Sequence, residues 1–299
     1  MIYNYTIIIP HKNTPDLLRK CLDSIPKRDD VQIIVVDDNS DKDKVDFEHF
    51  PGLNEEHTEV YLTKEGKGAG YARNVGLKHA IGKWIVFADA DDYFLPIIEQ
   101  SMNIYQNSDV DVIYFKRDRL ELDNTISYAV TNEYIDYARE TGDYSRIKFW
   151  MTVPVAKFIK LAFIHEYNIN FEEIRWSNDV MFATKIGVEA KKIELSNDCI
   201  YRVVTRNGSL RRKNTLESNI VRLLADCRSF NLLKERGLYN EIKPVVISTM
   251  QYWTNIFYKN KKEAIKLIPI VINAMDFKSF CHIIYRNKKK ILRSILNYE

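Results

Sequence analysis

The chain has little of what staples small folds together. Its four cysteines, Cys21, Cys199, Cys227 and Cys281, stand far apart, with no Cys-x-x-Cys pair and no histidine at metal-ligand spacing. Neither a zinc site nor a disulfide framework follows from such spacing, and reduced thiols in a cytoplasmic protein are the expectation. Glycine and proline are sparse, at 10 and 8 of 299 residues, which excludes collagen-like chains and Pro/Gly-rich linkers. No apolar run reaches the roughly 18 residues that a membrane span needs. The opening MIYNYTIIIPHKN lacks a basic segment followed by a long apolar one, so it does not read as a secretory signal. Net charge is also small, 44 Lys+Arg against 41 Asp+Glu for +3. That evenness is an average of unlike parts. Residues 200–299 carry 20 basic and 7 acidic side chains, whereas residues 1–199 carry 24 and 34. A basic final third on an acidic body suggests two jobs.

What the chain has is alternation. Strand-like runs at 5–10, 32–38, 59–63, 83–89 and 111–116 alternate with helical stretches at 15–25, 70–80 and 97–106. This order predicts an α/β domain with a mostly parallel central sheet. Ile33-Ile34-Val35-Val36 and Trp84-Ile85-Val86-Phe87 are apolar throughout, as strands covered on both faces are. From about residue 120 the pattern is mixed; a helix is expected at 178–189 and a strand at 198–204. Beyond residue 216 it reads as helices at 216–236, 242–258, 262–274 and 280–296. The expected division is 1–214 for the α/β domain and 215–299 for a basic helical extension.

Two strand-like runs end in carboxylates, Asp37-Asp38 and Asp89-Ala90-Asp91-Asp92. In open α/β sheets ligands bind at the carboxyl ends of strands. Asp89 and Asp91 offer oxygens to a hard cation, Mn²⁺ or Mg²⁺, shared with a diphosphate. Capping of the following helix is the other reading of this cluster. Asp38 can accept the imide N–H of a uracil, and an Asx-type turn explains Asp37-Asp38-Asn39-Ser40 equally well. Between the clusters, Gly68 and Gly70 open a helix where backbone can approach phosphate, with Arg73 one turn in.

Four motifs stand in order over about 90 residues: Ile7-Ile8-Ile9-Pro10 with Asn13; Ile34-Val35-Val36-Asp37-Asp38-Asn39-Ser40; Gly70-Tyr71-Ala72-Arg73-Asn74-Val75-Gly76; and Phe87-Ala88-Asp89-Ala90-Asp91-Asp92-Tyr93. Together they resemble family 2 glycosyltransferases of the GT-A fold, a Rossmann-like nucleotide-sugar-binding domain. The resemblance implies an inverting, metal-dependent, non-processive transferase of the bacterial polysaccharide type. Its donor would be a nucleotide sugar, UDP-linked by preference, and its acceptor a saccharide or lipid-linked hydroxyl. It implies that Pro10 borders the nucleotide, Asp38 meets the base, Gly70 and Arg73 lie near the diphosphate, and Asp89 and Asp91 meet ribose and metal. One departure is His11-Lys12, where the family usually has an aromatic residue before the asparagine.

Inverting transfer needs a carboxylate that takes the acceptor's proton. In Trp176-Ser177-Asn178-Asp179 the resemblance assigns that role to Asp179, with Asn178 in place of the family's usual Glu. Helix capping by Ser177 or Asn178, with Asp179 favoured by the helix dipole, is the plain alternative. Trp176 reads either as a platform for the acceptor sugar or as core. Asp198 to Leu210 resembles the segment after the base, which puts Arg206 and Ser209 on a loop closing over the diphosphate; Arg202 and Arg211 fit solvent equally well. In the tail, Lys259, Lys261, Lys262, Lys266, Arg286, Lys288, Lys289, Lys290 and Arg293 interleave with apolar residues. Such a face suits either an anionic membrane surface or a solvated bundle. No nucleic-acid motif accompanies the charge. A nucleotidyltransferase would need a long Gly-rich loop after the first strand, which Pro10–Pro15 is not. A non-catalytic module binding a nucleotide sugar or nucleic acid is the remaining alternative, kept by Asn178 and the basic tail.

Overall fold

The computed structural model describes residues 3–207 and 213–275 together with Cys281 and Tyr285, residues 242–250 as backbone only. The expected helix at 280–296, with Arg286, Lys288, Lys289, Lys290 and Arg293, lies outside the described residues, as do Ser209 and Arg211. The chain divides into two compact units, Met1–Asn207 and Gly208–Glu299.

The first unit opens with β1 (Tyr5–His11), α1 (Pro15–Asp23), β2 (Val31–Asp38), β3 (Thr58–Thr63), α2 (Ala69–His79) and β4 (Trp84–Phe87). It continues with β5 (Tyr93–Phe94), α3 (Ile97–Tyr105), β6 (Val112–Leu120), β7 (Ile126–Tyr128), α4 (Val130–Thr141), α5 (Ser145–Trp150), β8 (Lys157–Lys160), α6 (Leu161–Glu166), α7 (Val180–Glu189) and β9 (Ile193–Val204). One sheet holds them in the order β3-β2-β1-β4-β8-β6-β9-β5, with β7 on β6.

Strand alternation explains the layers. Tyr5, Ile7 and Ile9 of β1 face a core completed by Leu18 and Cys21 of α1 and Ile98 and Met102 of α3. Ile8, between them, faces the opposite core with Ala72 and Leu77 of α2 and Phe182 and Ile186 of α7. Both faces of β1 are therefore covered, which is why its run is apolar without alternation.

The expected parallel sheet is found in β3-β2-β1-β4, with Ile8 level with both Ile34 and Phe87. Beyond β4 the sheet is mixed: β8 runs antiparallel to β4 and β6, β5 antiparallel to β9, and β9 parallel to β6 with a bulge. A four-residue strand such as β8, Lys157-Phe158-Ile159-Lys160, carries no directional signal in its sequence, so its reversal was not readable.

The second unit contains α8 (Leu216–Glu235), α9 (Tyr239–Lys259) and α10 (Lys261–Ala274), packed through Leu223, Phe230, Trp253, Leu267 and Val271. Thr215 caps α8 by a reciprocal pair of bonds with Ser218, and Ser218 Oγ also donates to the Lys213 carbonyl. Residues 213–215 are thus tied to the start of α8. Among the described residues no helix is long and apolar enough to cross a membrane.

Candidate active site

The parallel half of the sheet brings the carboxyl ends of β1, β2 and β4 together. Asp37 and Asp38 are successive strand residues and diverge. Asp37 turns to His11: Nδ1 stands 2.7 Å from Asp37 Oδ1, and Ser40 donates from both its N–H and its hydroxyl. The Thr14 N–H donates to His11 Nε2 at 3.1 Å, so the ring is the neutral Nδ1–H tautomer and Nδ1 is the donor to Asp37. Burial works to raise the Asp37 pKa, but the bonds from His11 and Ser40 outweigh it and hold the carboxyl below its ordinary range. His11 and Asp37, paired at the ends of β1 and β2, are a buried latch that also holds Thr14 and Ser40 of the loops that follow. Pro10, level with Val36, is buried in β1 one residue before it.

Asp38 turns the other way. Its Oδ2 accepts from the Gly68 N–H at 2.9 Å and from Lys12 Nζ at 3.4 Å, and Lys12 also holds the Asp38 carbonyl at 2.7 Å. Oδ1 is buried and has no hydrogen-bond donor among the described residues. A carboxylate oxygen in that condition is a ready acceptor for a ligand N–H.

Gly68 precedes α2 with φ +97°, a conformation that side chains rarely adopt. At Gly70 a Cβ would stand 2.2 Å from the Glu172 carbonyl oxygen and 2.9 Å from Asn178 Cβ. The close approach expected there toward a phosphate is therefore, at Gly70, an approach to the protein's own 172–178 segment. Arg73 is also drawn inward. It is buried, with its guanidinium 5.2 Å from the centre of the Phe171 ring, and it donates from Nη1 to Asn178 Oδ1 at 2.9 Å and from Nη2 to Asp89 Oδ1 at 2.5 Å. Neither a solvated helix face nor a freely presented diphosphate ligand describes it; the side chain ties α2, the end of β4 and the start of α7 to one another.

After β4 the chain turns through Asp89–Asp92, closed by the Asp92 N–H on the Asp89 carbonyl at 3.0 Å. Tyr201 of β9 fixes the turn: its oxygen accepts from the Asp89 N–H and its hydroxyl donates to Asp92 Oδ2. Asp92 Oδ1 accepts from the Val204 N–H. Asp92 is thus a buried brace, and burial with the charges of Asp89 and Asp91 pushes its pKa well up. Asp91 binds Arg206 Nε through Oδ2 at 2.6 Å. Its pKa is raised, first by burial and then by Asp89, with Arg206 opposing. Asp89 Oδ2 and Asp91 Oδ1 have no protein donor among the described residues. Two mutually repelling carboxylates, each with one oxygen unengaged, suit a divalent cation that takes its other ligands from a diphosphate and water. Arg202, partly exposed, is held by an ion pair: it binds Asp118 through two bonds of 2.7 and 2.6 Å and braces β9 on β6.

Asp179 begins α7 with its carbonyl accepting from Ala183 N–H, while its side chain makes no cap hydrogen bond. Asp179 itself is the N-cap residue, and its carboxylate is left free of the helix's first N–H groups. The residue is half-buried; burial raises its pKa, and Arg73 and Lys157 are the cations that oppose the rise. Ser177 just before it has φ +56°, a conformation costly for a residue with a Cβ and held here by its surroundings. Trp176 departs from the expected acceptor platform. It is 5% exposed, with the Arg175 guanidinium 4.9 Å from its ring centre, so the ring is packed into the protein.

The structure thus gathers Asp38, Gly70, Arg73, Asp89, Asp91, Asp179 and Arg206 around linked turns. Gly68, read from the sequence as a place of close backbone approach, joins them, as do Asp92, Tyr201 and Lys157, which were not singled out as site residues. Asp92 and Tyr201 lie inside segments already recognised, although the reach of Tyr201 is set by long-range strand pairing; Lys157 had no local signal.

Residues 6–167 match the family model for glycosyl transferase family 2. Among characterised relatives, a poly(ribitol-phosphate) β-glucosyltransferase of Bacillus spizizenii is 28% identical over 211 residues, covering 68% of this chain but only 32% of the relative. The chain therefore spans about a third of that protein's length. Glycosyltransferase GlyG of Streptococcus pneumoniae is 26% identical over 224 residues, covering 69% of this chain and 72% of the relative. Among solved structures, residues 1–349 of Staphylococcus aureus TarS with UDP align over 98% of this chain and 87% of that one, with TM-score 0.68 and 18% identity. The same protein with UDP-GlcNAc aligns over 91% of this chain and 79% of that one, with TM-score 0.64 and 21% identity. The fold shared with these structures is GT-A.

Proposed function

The chain belongs to glycosyl transferase family 2 and is a glycosyltransferase, and from that premise we propose that it transfers one sugar, with inversion, from a UDP-sugar to a hydroxyl of a surface polysaccharide or a lipid-linked precursor. The observation that carries this reading is the reach of Arg73. One guanidinium joins Asp89, in the turn suited to a metal–diphosphate, to Asn178, the neighbour of the base Asp179. The acids that hold the leaving group and activate the acceptor therefore stand around one side chain.

In this reading Asp38 Oδ1 accepts the imide N–H of uracil, and Asp89 and Asp91 hold Mn²⁺ or Mg²⁺ at the diphosphate. The cation supplies charge stabilisation of the departing UDP. Asp179 takes the acceptor proton as the hydroxyl oxygen bonds to the anomeric carbon and the carbon–phosphate-oxygen bond breaks. A raised pKa suits that role, since a stronger base accepts the proton more readily, provided the carboxylate is ionised at working pH. Asn178 keeps an acceptor for Arg73 where a carboxylate is usual, leaving Asp89 as the charge that neutralises the guanidinium. Arg206, on Asp91, is positioned to turn to the diphosphate. The names of the relatives support a polyol-phosphate or saccharide acceptor. On α10, exposed Lys262, Ile265, Lys266 and Ile270 support attachment to an anionic membrane surface, where a lipid-linked acceptor would lie.

Thermal-shift titration with UDP-, GDP- and dTDP-sugars plus Mn²⁺ tests the donor. A UDP-sugar at a hundred times its Kd is expected to stabilise the protein by about 2.7 kcal/mol, and a guanine nucleotide by much less. Asp38→Ala is expected to weaken UDP binding about tenfold to a hundredfold, as loss of a charge-assisted hydrogen bond does. Equal binding of all bases by the unaltered protein would remove Asp38 from the base site.

A further inference from the structure

One buried charge is not used by the reading above. Lys157 opens β8 and is 1% exposed. β8 pairs with β4 through Ile85 and Ile159; continuing that register sets Lys157 level with Phe87, two residues before Asp89. Phe87 in turn packs edge-on against Phe182 of α7, 5.5 Å between ring centres. Lys157 therefore stands on β8 beside the end of β4, on the sheet face that packs against α7.

Among the described residues its ammonium makes no contact with a carboxylate. Nζ donates to the carbonyls of Met151 at 3.1 Å and Val153 at 2.6 Å, and stands 5.1 Å from the centre of the Tyr114 ring. Those two carbonyls belong to the turn between α5 and β8, where Ala156 has φ +57° and is fully buried. A buried cation satisfied only by neutral oxygens and a ring is costly unless a negative charge lies near. The charges around it are Arg117 on β6, which opposes the ammonium, and Asp179 at the start of α7, which favours it. Around Asp179 they are Arg73 on α2, Asp89 after β4 and Lys157.

We propose that Lys157 is a positioning residue of the transfer site: its ammonium fixes the 151–156 turn under the site and supplies a positive charge that keeps the Asp179 carboxylate ionised. Burial and Arg117 bring the Lys157 pKa down to about 7, so its charge changes in the working range of pH. Loss of that charge leaves Arg73 as the principal cation acting on Asp179 among the described residues. The inference rests on Asp179 as the base, and its test separates the two.

The first measurement follows the lysine Cε chemical shift of the ¹³C-labelled full chain through a pH titration. The Lys157 midpoint is expected near neutrality and is expected to fall in Asp179→Asn, because the carboxylate that favours the ammonium is gone. An unchanged midpoint overturns the proposal. The second is the pH profile of kcat/KM for UDP-GlcNAc or UDP-glucose hydrolysis. In Lys157→Met the acid limb is expected to move up by about half a pH unit or more, as withdrawal of a nearby opposite charge requires, and Lys157→Arg is expected to return it. Lowered kcat with an unmoved limb would mean that Lys157 only holds the turn, and would overturn the proposal. Should Lys157→Met not fold, the titration of the intact lysine decides. Failure of Asp179 as the base has a different signature, activity retained in Asp179→Asn, whatever the lysine does.

Discussion

Asp179→Asn is expected to lower sugar transfer by about 10³-fold, within the 10²–10⁴ that a positioned general base contributes, while UDP binding is unchanged and the melting temperature rises. The two halves of this result have one cause. Burial raises the Asp179 pKa, so the folded protein holds that proton more tightly than the unfolded chain. A carboxyl with a raised folded pKa favours folding where it is protonated; the penalty grows as pH rises through the unfolded value and is complete above the folded one. At neutral pH the ionised carboxylate is therefore a burden, which asparagine removes together with the base. In the unaltered enzyme the same shift puts the acid limb of kcat/KM above the ordinary carboxylate range near 4. Radiolabelled sugar transfer, UDP calorimetry and a melting curve on one preparation check all of this. Activity retained, with a melting temperature that falls, would mean that Asp179 serves only to start α7.

Asp91→Asn is expected to abolish the Mn²⁺ dependence of donor binding and to reduce transfer by about 10²-fold or more, since a cation at a leaving diphosphate supplies several kcal/mol of charge stabilisation. Folding should survive. Asp91 carries a raised pKa from burial and from Asp89, so loss of its charge relieves a repulsion, and asparagine keeps an oxygen for Arg206. Calorimetric titration of UDP with and without Mn²⁺ reads the effect, with Asp92→Asn as the contrast. Asp92 accepts from Tyr201 and from the Val204 N–H, so its replacement is expected to lower the melting temperature. Equal metal dependence in Asp91→Asn and the unaltered protein would take Asp91 out of the cation site.

Much of this was legible locally. The apolar runs of β1, β2 and β4, the carboxylates at their ends and the Lys67-Gly68-Ala69-Gly70 opening of α2 are each written within a few residues. Their convergence followed from one physical rule, that parallel strands present their carboxyl ends together. What was not legible depends on pairing across long separations. Tyr201 reaches Asp89 and Asp92 only because β9 lies beside β5, and Lys157 stands beside the end of β4 only because β8 reverses between β4 and β6. What Gly70 meets within the protein was hidden for the same reason: a Cβ there would collide with the Glu172 carbonyl, about a hundred residues along the chain. Trp176 shows the limit of composition, because an aromatic residue beside a candidate base looks the same in sequence whether its ring faces a sugar or the core.

The most direct test of the account is a crystal structure of the full chain with UDP and Mn²⁺, using the anomalous signal of manganese. The account predicts one manganese peak within ligand distance of Asp91, bridged to the diphosphate, with the uracil imide on Asp38 Oδ1 and the Arg206–Asp91 bond broken. UDP bound away from the ends of β1, β2 and β4, or manganese held without Asp89 or Asp91, would contradict it.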